Sequence, residues 1–345
     1  MKKLLLTLSA LLLALSTLAA GAPSFKDVQT APQDTQSFFR RMDQRRYAKL
    51  LRSNLDSSYV GIPHQRWTLR TSSNFGWNTL KLDNLSSEGI GYRASLSSAF
   101  DIGQGFYLSW RGITLGASLK PAWFIPKLRN RDQKYTISVY GNRMGMSATI
   151  RSTTTLRGDY MSLPDSTVIK IPLGNAYDFS ADFDAYYVFN SRRFSMPAAF
   201  TQSKIQKRSA GSALASVSIR NGITWVGAID NLGNQEFRVL TNMFSLGGGY
   251  GHNFITPHNW LLHASLVTNI SVLQYNRVLI GDDSKKIKNT FPDNVSVLQL
   301  SALHWKGNMF FGTSFTARAA TYGNKERIEF INANMDLRFF LGVRL

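Results

Sequence analysis

The stretch Tyr177-Asp178-Phe179-Ser180-Ala181-Asp182-Phe183-Asp184-Ala185-Tyr186-Tyr187 decides the fold. Its odd positions carry aromatics and alanine, while the even ones carry Asp178, Ser180, Asp182, Asp184 and Tyr186. A period of two puts those sets on opposite faces of an extended strand, whereas a helix would scatter the aspartates around its circumference. One face is greasy and the other anionic.

The same period recurs on both sides of this stretch. Trp67, Leu69, Thr71, Ser73, Phe75 and Trp77 alternate with a row led by Arg66 that continues through Thr68, Arg70, Ser72 and Asn74. Ile90, Tyr92, Ala94, Leu96 and Phe100 alternate with Gly91, Arg93, Ser95 and Ser97, and Ala213, Ala215, Val217 and Ile219 with Ser212, Ser216, Ser218 and Arg220. Similar runs cover Trp260 to Val272, Met309 to Ala319 and Leu337 to Leu345. Phase switches at Arg111-Gly112 and through Gly141-Asn142-Arg143 predict bulges at glycine.

Two architectures use many such antiparallel strands, a water-soluble sandwich or barrel and a transmembrane barrel. The first hides its apolar face; the second turns it outward and gathers aromatics at the two interfaces. Three features favour the second. The strands often run to 12 or more residues, when about 9 to 11 cross a bilayer and soluble strands average about 5 to 6. Trp67, Trp77, Trp110, Trp123, Trp225, Trp260 and Trp305 all lie in or beside strands, and Trp67, Trp77, Trp110, Trp260 and Trp305 are read as interfacial aromatics. Finally, the chain ends in a strand, with Leu337, Phe339, Leu341, Val343 and Leu345 alternating with Asp336, Arg338, Phe340, Gly342 and Arg344. That ending resembles the C-terminal insertion signal of bacterial outer-membrane barrels, with Leu345 in place of the usual aromatic. The expected fold is all-β: a transmembrane antiparallel β-barrel of about 12 strands with a short periplasmic helix before it.

The N-terminus supplies the compartment. Met1-Lys2-Lys3 is a short basic region, Leu4 to Ala20 an apolar run, and Ala20-Gly21-Ala22 a small-residue cleavage site. Residues 1–22 therefore read as a secretory signal peptide, residues 23–58 as a periplasmic segment, and residues 59–345 as the barrel. Between Asp34 and Arg52 the chain has no glycine or proline; Phe38, Phe39, Met42, Leu50 and Leu51 gather near one side of a basic helix. No later stretch has the 18 consecutive apolar residues that a helical span requires.

Composition removes further classes. The 345 residues are 43% hydrophobic and 18% charged, with a net charge of +19 and no cysteine. Thiolate metal sites and disulfide scaffolds are excluded, and so is a disordered chain. The basic residues are interleaved through strands of an exported protein, so nucleic acid is not an expected partner. Attraction to the anionic outer leaflet is the more economical use, with Lys127, Arg129, Arg131, Lys285, Lys286 and Lys288 as loop candidates. Five histidines scattered along the chain, with no close acidic cluster, make poor metal ligands, and no cofactor is expected.

Four segments carry a resemblance to a known family: YVGIPHQRWT (Tyr59 to Thr68), YGNRMGM (Tyr140 to Met146), RRFSMPAAFTQSKIQKRSAGS (Arg192 to Ser212) and GGGYGHNFITPHNW (Gly247 to Trp260). On these the chain resembles a domain-of-unknown-function family, family 4421, of Gram-negative outer-membrane barrels. The resemblance implies fold and location, and it brings no catalytic residue and no ligand.

With the apolar face toward lipid, Arg66, Arg70, Arg93, Arg220 and Arg338 are expected in the lumen with Asp178, Asp182 and Asp184. They would form an interior salt-bridge lattice or a cationic lining that admits anions. The leading expectation is a structural barrel or narrow passive channel. A binding role for the loops, or for Arg192 to Ser212 folded into the lumen, comes second. An enzyme comes third: His263-Ala264-Ser265 places a histidine and a serine on one face, as in outer-membrane phospholipases, with Asn269 of matching parity. Against this, that face is opposite the apolar row. Expected partners are outer-membrane lipid, lipopolysaccharide and, through the last strand, the barrel assembly machinery; the chain is expected to act as a monomer.

Overall fold

The computed structural model describes residues 33–51, 54–83, 92–98, 101–111, 113–119, 132–162, 168–227, 236–280, 283–286, 293–324 and 328–345. The expected signal peptide (residues 1–22), Trp123, Lys127, Arg129, Arg131 and Lys288 lie outside the described residues. Helix α1 (Gln33–Leu51) falls within one residue of the Asp34–Arg52 expectation at each end. Among the described residues no helix is long and apolar enough to cross a membrane.

The strands follow in order: β1 (Val60–Gly61), β2 (Trp67–Asp83), β3 (Tyr92–Ser98), β4 (Asp101–Trp110), β5 (Ile113–Leu119), β6 (Gln133–Tyr140), β7 (Met144–Thr153), β8 (Leu156–Ser162), β9 (Val168–Ile171) and β10 (Ala176–Val188). Helix α2 (Met196–Phe200) and β11 (Ile205–Gln206) come next. Then follow β12 (Ala210–Val226), β13 (Phe237–Thr256), β14 (Trp260–Gln274), β15 (Arg277–Ile280), β16 (Asp283–Lys286), β17 (Asn294–Lys306), β18 (Met309–Asn324) and β19 (Ile328–Arg344). The pairings run β2-β4-β5-β6-β7-β10-β12-β13-β14-β17-β18-β19 and return from β19 to β2. That is a closed antiparallel ring of twelve strands. Closure leaves no open edge in the ring, as a bilayer demands.

The two ends of the ring differ. At one end, here the lower, four connections are tight, at residues 111–112, 141–143, 257–259 and 307–308, and the fifth, residues 189–209, is long. At the upper end they are longer, such as residues 84–91 and 120–132. After Trp110 and at Gly141-Asn142-Arg143 the expected bulges are not found: Trp110 pairs Ile113 and Tyr140 pairs Gly145, so the strand reverses and its phase restarts. Arg111 adopts a φ of 47°, and Gly141 N–H bonds Met144 O at 2.9 Å. A register shift does occur between Phe244 and Ser245, whose partners jump from Leu273 to Ser271. The residue passed over, Val272, stands 49% exposed.

Side-chain alternation now acquires a direction. In β2 the even residues Thr68, Arg70, Ser72 and Asn78 are buried inside, while Trp67 and Leu69 are exposed outside. Across the ring Leu108, Ile137, Ile150, Leu266, Phe311, Phe339 and Leu341 are likewise 46–58% exposed on the outer face. From Trp67 to Trp77 this outer row rises about 25 Å once strand tilt is allowed for, enough for a hydrocarbon core. Trp67 and Trp110 face each other across strands at the lower rim, 6.4 Å between rings, and Trp260 packs with His304 and Phe311 on the same rim.

Above Trp77 the faces exchange character. The inward row of β2 continues as Leu80 and Leu82, and the outward row as Thr79, Lys81 and Asp83. These leucines join Ala94, Leu96, Leu156, Tyr160, Ile171, Val226, Val239, Met243, Val295, Ala320 and Phe330 in one buried cluster. Here β2 pairs β3, and β3 pairs β8 directly, passing over the shorter β5–β6 hairpin. The upper barrel is built like a water-soluble one, with its core inside. This corrects the placement of Arg93. Ala94 and Leu96 turn inward, so Arg93 is on the outer face with Asp83 as its ion-pair partner. Trp305 is corrected too, for it shares the inward parity of Ser301 and Leu303 and packs against an interior apolar cluster.

Candidate functional site

The interior of the ring holds the site, built in three levels. The lowest is the link from β10 to β12, residues 189–209, which turns into the barrel mouth instead of hanging below it. Ser195 starts α2 with Pro197 in the first turn, where a missing N–H costs nothing. Phe194, Met196, Ala198 and Ala199 are all buried. Phe194 and Met196 pack with Val188, Ala210 and Leu214, and the two alanines with Leu261, Leu303, Phe310 and Phe340. Phe310 can lie inward because its cross-strand partner is Gly342, whose missing Cβ would sit 2.2 Å from the ring.

Polar groups fix this segment. Gln206, 0% exposed, accepts from Ser195 N–H at 3.0 Å and donates to the carbonyls of Arg193 and Arg208 at 2.6 and 2.9 Å. Arg344 donates to Gln202 O at 3.0 Å, and Arg70 to Phe200 O and to Gln202 Oε1. The chain entering the barrel is stitched to the same segment: β1 pairs β11, Lys207 N–H bonds Tyr59 O at 2.7 Å, and Arg193 pairs with Asp56 at 3.3 Å. Ser58 and Arg193 hold the Asp56 carboxyl below its usual range. Lys204 is the exception. Its ammonium is buried with no hydrogen-bond partner among the described residues, and burial pushes its pKa down to about 7.

His263 and Ser265 belong to this level. Asn253 Nδ2 is spent on Ser195 O and Gln206 Oε1, so its Oδ1 must accept from His263 Nδ1–H at 2.7 Å. His263 Nε2 is then left to accept from Ser265 Oγ–H at 3.0 Å. The amide orienting the histidine is therefore Asn253 and not Asn269, whose Oδ1 accepts from Ser216 instead. Cross-strand register explains it: Asn253 is directly opposite His263, while Asn269 is six residues farther up its strand. The order nucleophile, base, orienter is that of covalent hydrolases. Yet Phe194 stacks on the imidazole and Phe200 meets it edge-on at 4.9 Å, and Ser265 is 4% exposed.

The middle level is a cavity of about 180 Å³, floored by Phe200 and Thr201. Arg70, Lys134, Arg151, Arg318, Arg338, Asp182, Asp184 and Asp336 line it. Arg318 Nη1 donates to both oxygens of Asp184 at 2.9 and 2.8 Å, and Arg318 and Arg220 approach Asp182 at 3.8 and 3.9 Å. Lys134 and Arg151 share Asp336 at 2.8 and 3.5 Å. Paired charges of this kind cross a low-dielectric region at far lower cost than isolated ones. Asp178 accepts from Thr224 at 2.7 Å, nearer the top. The buried apolar cluster forms the third level.

Of the expected lumen residues, Arg70, Arg220, Arg338, Asp178, Asp182 and Asp184 are inside. Arg66 is exposed at the lower turn, its carbonyl accepting from Arg111 N–H. Lys134, Arg151 and Arg318 are inside as well and are not among the expected lumen residues, nor are Asp336 and Arg344 of the polar row that ends the chain. Extending the inward parity of Ser314 and Thr316 by one step would have found Arg318. Among the described residues no cluster of metal-ligating side chains occurs.

A family model described as a domain of unknown function (DUF4421) matches residues 54–345. No curated protein matches the sequence. Among solved structures, the outer membrane protease OmpT from Escherichia coli is similar at 9% identity, over 81% of this chain and 97% of that one, with a TM-score of 0.47. An outer membrane channel from Pseudomonas putida F1 is similar at 10% identity, over 83% and 98%, with a TM-score of 0.33. The toluene transporter TodX from P. putida is similar at 8% identity, over 82% and 91%, with a TM-score of 0.26.

Proposed function

The chain belongs to the DUF4421 family of unknown function, and on that premise we propose that it is an outer-membrane β-barrel whose lumen is shut at rest. It acts as a structural barrel, or as a conduit that conducts only when residues 189–209 leave the mouth. One observation carries this reading: the lumen has an inserted segment below and an apolar layer above, with a charged cavity between them. An open diffusion pore would need neither. The short lower turns support a periplasmic lower end and an external upper end, where lipopolysaccharide is the expected neighbour. The C-terminal strand Leu337–Leu345 is the surface offered to the barrel assembly machinery, and the ring acts as a monomer.

Planar-bilayer recording tests the reading. Wild-type protein is expected to show no steady conductance. Replacing Ser195–Lys207 by a short Gly-Ser linker is expected to give steps with anion preference, from the arginines left in the lumen. Steady wild-type conductance would contradict the closed state.

A second reading, lipid hydrolysis, is favoured by the bonded row Ser265, His263, Asn253. It requires the same segment to withdraw, since both phenylalanines cover the base. Unchanged hydrolysis between the linker variant and its Ser265→Ala derivative would remove it.

A further inference from the structure

We propose that the central cavity is a binding site for a small divalent oxyanion held between Arg70 and Arg338. The inference rests on the closed-lumen reading and names what the closed space holds. Within the ring, Arg318 and Arg220 are matched by Asp182 and Asp184, and Lys134 and Arg151 lean on Asp336. Arg70 and Arg338 have no such partner: among the described residues no carboxylate comes within 4.0 Å of either. Arg70 donates only to Phe200 O and Gln202 Oε1, and Arg338 to Asn74 Oδ1. Arg70 Nε is buried with no hydrogen-bond partner among the described residues.

The two guanidiniums also share one ring. Arg70 Cζ is 4.3 Å from the centroid of Tyr107 and Arg338 Cζ is 5.4 Å from it. Two guanidiniums bordering one ring, in a space walled by the barrel, repel each other, and a bound anion relieves that repulsion. Tyr107 and Tyr140 border the same cavity and place phenol groups beside the two cations. Its volume of about 180 Å³ is several times the roughly 30 Å³ of one liquid water, enough for a tetrahedral oxyanion or a four-carbon dicarboxylate. Bidentate geometry is what guanidinium offers such groups.

The full mature chain, folded in detergent, is melted in chloride at fixed ionic strength, then with inorganic phosphate, sulfate or succinate replacing part of it. Loss of the compact band on unheated gels and tryptophan fluorescence give the midpoint. A saturable rise of roughly 5 °C is expected at a hundred-fold excess over the dissociation constant. Response to phosphate and sulfate assigns a tetrahedral anion; response to succinate assigns a dicarboxylate. The rise is expected to vanish in the R70Q and R338Q single variants and to persist in R93Q, whose arginine is outside the ring. Equal midpoints in all four anions, with the compact band present, overturn the site and leave the closed barrel standing. A rise that survives in both R70Q and R338Q overturns it too. Steady wild-type conductance, or no compact band in any buffer, overturns the closed barrel and the site together.

Discussion

Truncating Phe194 to alanine separates the segment that closes the mouth from the wall that holds it. The side chain is 0% exposed, its ring lies 6.1 Å from that of His263 at an interplanar angle of 25°, and its tip faces Gly251. A buried phenylalanine replaced by alanine costs about 3–5 kcal/mol. Phe194 lies in a connection and makes no ladder hydrogen bond of the ring, so this loss falls on docking of the segment rather than on closure of the sheet. At about 1.4 kcal/mol per factor of ten, the undocked fraction rises by roughly two to nearly four powers of ten. Single-channel recording reads this directly as opening events per unit time, and the heat-modifiable band reports that the ring is intact. An F194A protein with a native band and wild-type silence would refute the reasoning. The apolar layer above the cavity would then be the closure, with the inserted segment a passenger.

Four further outcomes are expected. Gly251→Val places a Cβ 3.1 Å from the tip of Phe194 and 3.1 Å from Ser265 Cβ, and it should raise opening frequency in the same direction as F194A, with the band unchanged. Phe339→Arg puts a cation on the outer face opposite Ser73, near mid-bilayer, and should cost about 2–4 kcal/mol in urea titration of vesicle-folded protein, whereas Lys81→Arg above the band should cost nothing measurable. Phe330→Ala, in the buried upper cluster, should cost about 3–5 kcal/mol in the same titration without changing conductance. Lys204 supplies a pH dependence. Its pKa falls to about 7 in the docked segment, against roughly 10.4 when exposed. Between those values the undocked state binds more protons, so docking strengthens as pH rises through the window and is weakest, and level, below it. Opening frequency should fall from pH 7 toward pH 10, and K204M should flatten that slope.

Much of this was legible in alternation. The inward rows through Asp178, Asp182 and Asp184, and through Arg220, are readable because every second residue of β10 and β12 stays polar along most of the strand. The mouth segment was legible only as something unusual. MPAAF has the alanines and proline of a short helix, but nothing local says that Ala198 and Ala199 must be buried against Leu261 and Phe310, which lie far along the chain. The Asn253 partner of His263 was missed for the same reason, since it depends on a register that the Pro257–Asn259 turn sets.

The errors share one physical cause. Alternation says that two faces differ and never says which of them meets water. In a membrane band lipid takes the apolar face, and above it water takes the polar one, so a strand long enough to do both must exchange its rows. Strand β2 does so between Asn78 and Leu80 with no break in its odd-even parity: the inward row passes from Arg70 and Ser72 to Leu80 and Leu82, the outward one from Leu69 and Phe75 to Lys81 and Asp83. Arg93, on the neighbouring β3, reads as a lumen residue because Ala94 and Leu96 look like a lipid-facing row, and in that part of the barrel they are core. Charge on the other row was the available signal. Lys81, Asp83 and Arg93 cluster on one side of the upper hairpin, a density of charge that a hydrocarbon-facing wall cannot carry and a hydrated one can.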